Sequence, residues 1–146
     1  MSSRPTQQFV KGQTILMEGT PGDRTYKIIS GDVIICKKNR DGNLIPIAKL
    51  GAGEIFGEMY LFDGNKARSA SAIAVSSEVN VEVYFQNELE EMISKLSPHT
   101  KDIFEGLSNR LRKTSDKYTE MAPSKSLSQL PDGTLKPSNT FIRKST

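Results

Sequence analysis

The side chains of this 146-residue chain that could do chemistry together are concentrated in one run, Phe56-Gly57-Glu58-Met59-Tyr60-Leu61-Phe62-Asp63-Gly64-Asn65-Lys66-Ala67-Arg68-Ser69-Ala70-Ser71-Ala72. Arg68 supplies a permanent cation whose guanidinium can fork onto phosphate oxygens. Ser69 adds a hydroxyl beside it. Gly57 allows a close backbone approach, and the short helix-compatible stretch after it offers free N–H groups to an anion. Glu58, when ionised, only accepts hydrogen bonds, which suits it to a sugar hydroxyl or to Arg68 itself. Such groups make a site for one sugar and one singly charged phosphate. On residue types alone, a structural Glu58–Arg68 pair accounts for them equally well.

The elements that must hold this run are short strands. Nine of the eleven glycines lie between Gly12 and Gly64, spaced through β-branched and aromatic residues, a pattern of strands joined by tight turns. Strands are predicted at Thr14 to Met17, Tyr26 to Ile29, Val33 to Lys38, Leu44 to Leu50, Ser69 to Val75 and Val79 to Phe85. Asn39-Arg40-Asp41-Gly42-Asn43 reads as a hairpin tip, because Asp-Gly and Asn tolerate positive φ. About seven short strands at this spacing imply a sandwich or jelly roll.

The pattern changes at Gln86. Asn87 is placed to cap a helix running to about Lys95, with Glu88, Glu90 and Glu91 in its first turn. Ser97-Pro98 then opens a longer helix, with Pro at the first position. Phe104, Leu107, Leu111, Tyr118 and Met121 keep a narrow seam on one face, and Thr114 fills its missing position. At roughly 23 residues this helix exceeds about 30 Å, more than a small sandwich needs for cover. A partner helix on the seam is therefore expected, with packing on its own sheet as the alternative. The chain divides into a folded part, 1–121, whose long helix spans 97–121, and a Ser/Thr/Pro-rich tail, 122–146, expected to be flexible.

Charge and composition exclude several functions. Residues 1–121 carry as many basic as acidic side chains, and the net +3 resides in the tail, around Phe141-Ile142. A neutral body is a poor nucleic-acid binder; the tail is expected to be solvated, with Phe141-Ile142 as the candidate contact point for a protein partner. Cys36, the single cysteine, sits in the apolar stretch Val33-Ile34-Ile35-Cys36, so it makes no internal disulfide and is expected to be a buried, inert thiol. No apolar run reaches the roughly 18 residues of a membrane span, and the N-terminus lacks a signal-peptide core, which implies a soluble, cytoplasmic protein. His99 is the only histidine, at an exposed helix start, and no nucleophile elbow, Walker loop or metal set is present. An enzyme and a metal are not expected.

The ordered motifs resemble one family. Phe56-Gly57-Glu58 followed by Arg68-Ser69-Ala70 is similar to the phosphate-binding cassette of cyclic nucleotide-binding domains. Tyr26-x-Ile28-x-x-Gly31-x-Val33 and Leu50-Gly51-x-Gly53-Glu54-x-Phe56 match its glycine framework. The likeness runs from about Phe9 to Met121 and is strongest to the bacterial catabolite activator branch. It implies a mainly β fold with flanking helices, a β jelly roll followed by the long C-terminal helix. It also implies a bound cyclic nucleotide, cAMP or alternatively cGMP. Glu58 would hold the ribose 2′-hydroxyl, and Arg68, Ser69 and the backbone around Phe56, Gly57 and Met59 the cyclic phosphate. Thr114 and Ser115 stand where the branch meets the adenine amino group with a hydroxyl from each subunit of a homodimer. The family's N-terminal helix is nearly absent, and the residues after Met121 show no helical period for a DNA-reading domain. The expected function is a stand-alone receptor signalling through a protein partner; the alternative is a scaffold that keeps the fold without responding to nucleotide.

Overall fold

The computed structural model describes residues 4–62 and 67–122. Eight strands form two antiparallel four-stranded sheets: β1 (Thr6–Val10), β2 (Thr14–Leu16), β3 (Arg24–Ser30), β4 (Val33–Lys38), β5 (Leu44–Leu50), β6 (Ile55–Phe56), β7 (Ser71–Ala74) and β8 (Glu78–Phe85). One sheet has the order β1-β8-β3-β6 and the other β2-β7-β4-β5. A single 3-10 turn, Met59–Leu61, interrupts the strands, and two helices follow, α1 (Gln86–Ser94) and α2 (Pro98–Met121). This is the expected β roll with a long C-terminal helix.

Alternation explains the packing. In β8, Val79, Val81 and Val83 are buried while Glu78, Asn80 and Glu82 face outward, a period of two on a half-buried strand. These valines meet Phe9, Tyr26, Ile28 and Phe56 of their own sheet, and Val33, Ala72 and Ala74 of the other, in one core. Cys36 is fully buried with Ile34, Leu44 and Ile73, and burial pushes its thiol up to about 12, which keeps it inert. At the predicted hairpin tip, Asn39 Oδ1 accepts from the Asp41 and Asn43 N–H groups, an Asx turn.

Two strands escaped the sequence pattern. β1 carries one buried residue, Phe9, and the two-residue β6 is defined by its pairing of Phe56 with Tyr26. The first helix begins a residue earlier than its predicted cap: Phe85 is the cap, its N–H donates to Glu88 Oε1, and Asn87 lies inside the first turn. Ser97 caps α2 as its sequence implies, accepting from the Thr100 N–H. His99 is exposed. No described helix is long and apolar enough to cross a membrane. The tail, with Phe141-Ile142, lies outside the described residues apart from Ala122, as do residues 63–66 of the run that begins at Phe56.

Candidate functional site

Phe56 enters the site from β6, its ring stacked on Tyr26 with centroids 5.3 Å apart. Gly57 then turns the chain with φ +83°, a left-handed conformation that favours glycine. Space is also tight, since a Cβ there would lie 3.1 Å from both Arg68 Nη1 and Leu16 Cδ1. The 3-10 turn follows at once and carries Glu58, Met59 and Tyr60 to the cavity wall. On the opposite side, the loop after β2 clamps the second half of the cassette. Arg68 N–H donates to Thr20 O at 2.7 Å, and Gly19 N–H donates to Arg68 O at 2.9 Å. Arg68, Ser69 and Ala70 are thereby delivered to β7.

The two halves face one cavity of about 240 Å³, whose wall includes Phe56, Gly57, Glu58, Met59, Arg68 and Ser69. Ile35, Ala48, Leu50 and Ile55 supply its apolar side. Arg68 is buried, at 6% exposure. Its Nη1 donates to Gly57 O and its Nη2 to Arg24 O, both at 2.7 Å, and the guanidinium lies 5.0 Å from the Tyr60 ring centroid. Burial lowers its pKa, yet a guanidinium keeps its charge in proteins. The two carbonyls hold the fork in one orientation. Glu58 is half-buried, and burial raises its carboxyl above the ordinary range, opposed by a hydrogen bond to its own backbone and by the Arg68 charge. Among the described residues no ion pair joins Glu58 to Arg68, so the simple structural pair that residue types permit is not what forms. Ser69 Oγ meets Met59 Sδ at 3.4 Å, tying the halves together.

Thr114 and Ser115 do not line this cavity. Thr114 is exposed on α2, on the side of the seam, where Phe104, Leu107, Leu111 and Tyr118 are also exposed. Ser115 faces the chain's own roll, accepting from Lys37 Nζ at 3.4 Å. The face of α2 toward the roll is small and polar, with Ser108 and Thr119 buried on it. Ser108 Oγ donates to Met59 O at 3.4 Å and Phe104 packs on Phe62 at 5.1 Å, so α2 touches the cassette directly. The cassette residues are thus brought together, and the two helix hydroxyls are set apart from them and from each other. Residue patterns missed Tyr60, whose ring packs against Gly22 and under Arg68; its one signal is an aromatic beside the glycine-flanked turn.

This arrangement offers a fixed cation, a hydroxyl and a carboxylate in a pocket that is otherwise lined largely by apolar side chains. It fits a sugar phosphate carrying a flat apolar group. Residues 6–96 match the model of the cyclic nucleotide-binding domain, so the chain belongs to that family. Among curated relatives it is similar to the CRP-like cAMP-activated global transcriptional regulator of Mycobacterium tuberculosis, 32% identical over 114 residues, covering 77% of this chain and 50% of that protein. It is also similar to the cyclic AMP receptor protein of Thermus thermophilus, 33% identical over 71% of this chain and 47% of that protein. Among solved structures, the cAMP-bound form of the EAL enzyme Bd1971 superposes with a TM-score of 0.70 at 34% identity, covering 75% of this chain and 29% of that one. The chain spans about half the length of these curated relatives.

Proposed function

We propose that the chain is a cyclic nucleotide receptor, for cAMP in preference to cGMP, that signals through a protein partner and catalyses no reaction. The carrying observation is the cavity itself, whose lining joins Glu58, Arg68 and Ser69 to apolar side chains such as Ile35, Leu50 and Ile55. Glu58 holds the ribose 2′-hydroxyl. Arg68, already oriented by two carbonyls, and Ser69 hold the cyclic phosphate with backbone N–H groups near Gly57. At about 240 Å³ the cavity lies just below the range usual for small-molecule sites, roughly 300–1,000 Å³. Relatives named for cAMP support this reading, as do solved forms of Bd1971 with cAMP and with cGMP. Among the described residues that line the cavity, Glu58 is the one carboxylate.

Two copies of the chain pair through the exposed stripe Phe104, Leu107, Leu111 and Tyr118. Ser115 then serves the nucleotide of its own chain and Thr114 that of its partner. The tail, 122–146, with its excess of basic residues, docks the downstream partner. Calorimetric titration with cAMP and cGMP tests the core of the reading. Binding tighter than millimolar is expected, cAMP ahead of cGMP; no heat with either nucleotide leaves only a non-responsive scaffold.

A further inference from the structure

Met59 joins the two halves of the cassette. Its carbonyl accepts from the Phe62 N–H at 3.2 Å and from Ser108 Oγ of α2 at 3.4 Å, which pins the main chain of the 3-10 turn. Its half-buried side chain reaches across to the second half, where Sδ accepts the Ser69 hydroxyl proton at 3.4 Å. Both residues line the cavity. A thioether is a weak acceptor, so the Ser69 proton is held loosely and passes readily to an anionic oxygen that comes within reach. The contact is also the place where a small oxidant entering the cavity meets a sulfur atom. The chain's one thiol is closed to it, because Cys36 is fully buried.

Hydrogen peroxide delivers one oxygen atom to a methionine sulfur. The O–O bond breaks and an S–O bond forms; the sulfur gives up two electrons, and the peroxide leaves as water. The product replaces a weak acceptor with a strongly polar S=O oxygen. We propose that Met59 is a modification site, at which oxidation to the sulfoxide withholds the Ser69 proton from the cyclic phosphate and weakens nucleotide binding. This rests on the receptor reading above. The sulfoxide oxygen takes that proton more firmly than the sulfur does, and it sets its own partial negative charge beside the place of the phosphate. In a cavity of about 240 Å³ it also fills room that the ligand needs. A nucleotide seated on Ser69 in turn covers the sulfur and shields it from peroxide. Methionine sulfoxide reductases, with a dithiol as reductant, reverse the change.

The experiment treats the full chain with hydrogen peroxide, with and without saturating cAMP, and follows each methionine by peptide mass spectrometry. Met92, 53% exposed on α1 and away from the cavity lining, is the reference. Met59 should be oxidised in the empty chain and protected by cAMP, while Met92 is oxidised alike in both. A partly oxidised sample is then passed over immobilised cAMP. Met59 sulfoxide should be depleted from the retained fraction, and Met92 sulfoxide should divide evenly. Titration of the oxidised chain should show cAMP bound about ten- to a hundred-fold more weakly, the worth of one hydrogen bond to a charged group. Sulfoxide reductase with a dithiol should restore the affinity. Met59→Leu, whatever its own affinity, should bind equally before and after peroxide. Three results overturn the proposal: Met59 stays reduced until the fold melts, is oxidised as fast with cAMP as without, or has a sulfoxide that divides evenly on the resin. A loss of affinity that persists in Met59→Leu also overturns it, since the lesion then lies elsewhere. If Met59→Leu does not fold, the division of sulfoxides on the resin decides. A parent that binds no nucleotide before oxidation brings down the receptor reading as well; a parent that binds cAMP and is indifferent to the state of Met59 removes this inference alone.

Discussion

Arg68→Ala separates two roles that the structure combines in one guanidinium. As a ligand group, Arg68 is a buried cation facing the site where the phosphate is placed. Truncating one partner of such a charge pair costs about 2–5 kcal/mol, roughly 30-fold to several thousand-fold in affinity. As a structural group, it donates to Gly57 O and Arg24 O. Gly57 O keeps a second donor, Thr25 Oγ1 at 3.2 Å, and water can reach the vacated space through the cavity. The structural loss is therefore put at about 1–3 kcal/mol, the cost of unmade buried bonds. For a domain of this size that is roughly 3–5 °C of melting temperature per kcal/mol. The alanine variant should be folded, measurably less stable and severely impaired in cAMP binding. Calorimetric titration well below the variant's melting temperature reads affinity, and thermal unfolding without nucleotide reads the structural part. Arg68→Lys, which keeps the charge and loses the fork, should fall between. An alanine variant that binds within about threefold of the parent would refute the placement of the phosphate, since even the low end of the range predicts about 30-fold.

Glu58→Gln should raise the melting temperature of the nucleotide-free protein at pH 7 and narrow the difference between cAMP and its 2′-deoxy analogue, since an amide oxygen still accepts from a hydroxyl. The raised carboxyl pKa favours the protonated form in the fold, so its contribution is complete below the ordinary carboxylate value and is lost as pH rises through the raised one. Scanning calorimetry across that window should show the parent losing stability relative to the glutamine variant, and a variant that melts lower at pH 7 contradicts the assignment. Because the ionised carboxylate is the better acceptor, parent affinity for cAMP should fall as pH drops through the same window. Replacing Leu107 and Leu111 with Glu should give a monomer in sedimentation velocity with weakened cAMP binding; unchanged affinity in such a monomer breaks the link between ligand and pairing. Removing residues 123–146 should spare nucleotide affinity and reduce capture of the downstream partner, and capture by the shortened chain at the parent's level removes the tail from the mechanism.

What the sequence made legible follows the strength of its local signals. β4 and β5 are predicted with their observed ends because they lie between Gly31-Asp32, the Asp41-Gly42 tip and Gly51. Ser97-Pro98 marks the start of α2 because cap and first-turn chemistry are local. β6 could not be read: two residues carry no period, and only the pairing with β3 makes them a strand. The cassette was legible as a set, since its glycine, carboxylate, arginine and serine lie close along the chain. The partners of Arg68 were not, because Arg24 O and Gly57 O are backbone atoms and a contact to a carbonyl leaves no mark on residue type. Lys37 was invisible for a related reason. A lysine beside Lys38 in a strand reads as an exposed charge, and its burial depends on Asp116, 79 positions later in the numbering.

The two faces of α2 bear on how a bound nucleotide could be felt elsewhere. An isolated domain buries the apolar side of its helix and wets the polar side. In α2 this order is reversed: Ser108 and Thr119 are buried against the roll, while Leu111 and Met121 are 61% and 72% exposed. The helix is held to the roll by polar contacts, Lys37 with Asp116 and Arg40 Nε with Glu120 Oε1 at 3.3 Å, and touches the cassette through Ser108 and Phe104. Polar contacts of this kind contribute little net stability each, because water competes for the same groups. The apolar stripe gains far more from a second surface than the polar face gains from the first, at about 25 cal/mol per Å² buried. A helix so placed is easily shifted on its own roll and strongly held by a neighbour. A nucleotide that touches both the cassette and Ser115 would therefore set the position of α2, and with it the surface the stripe offers to a second copy.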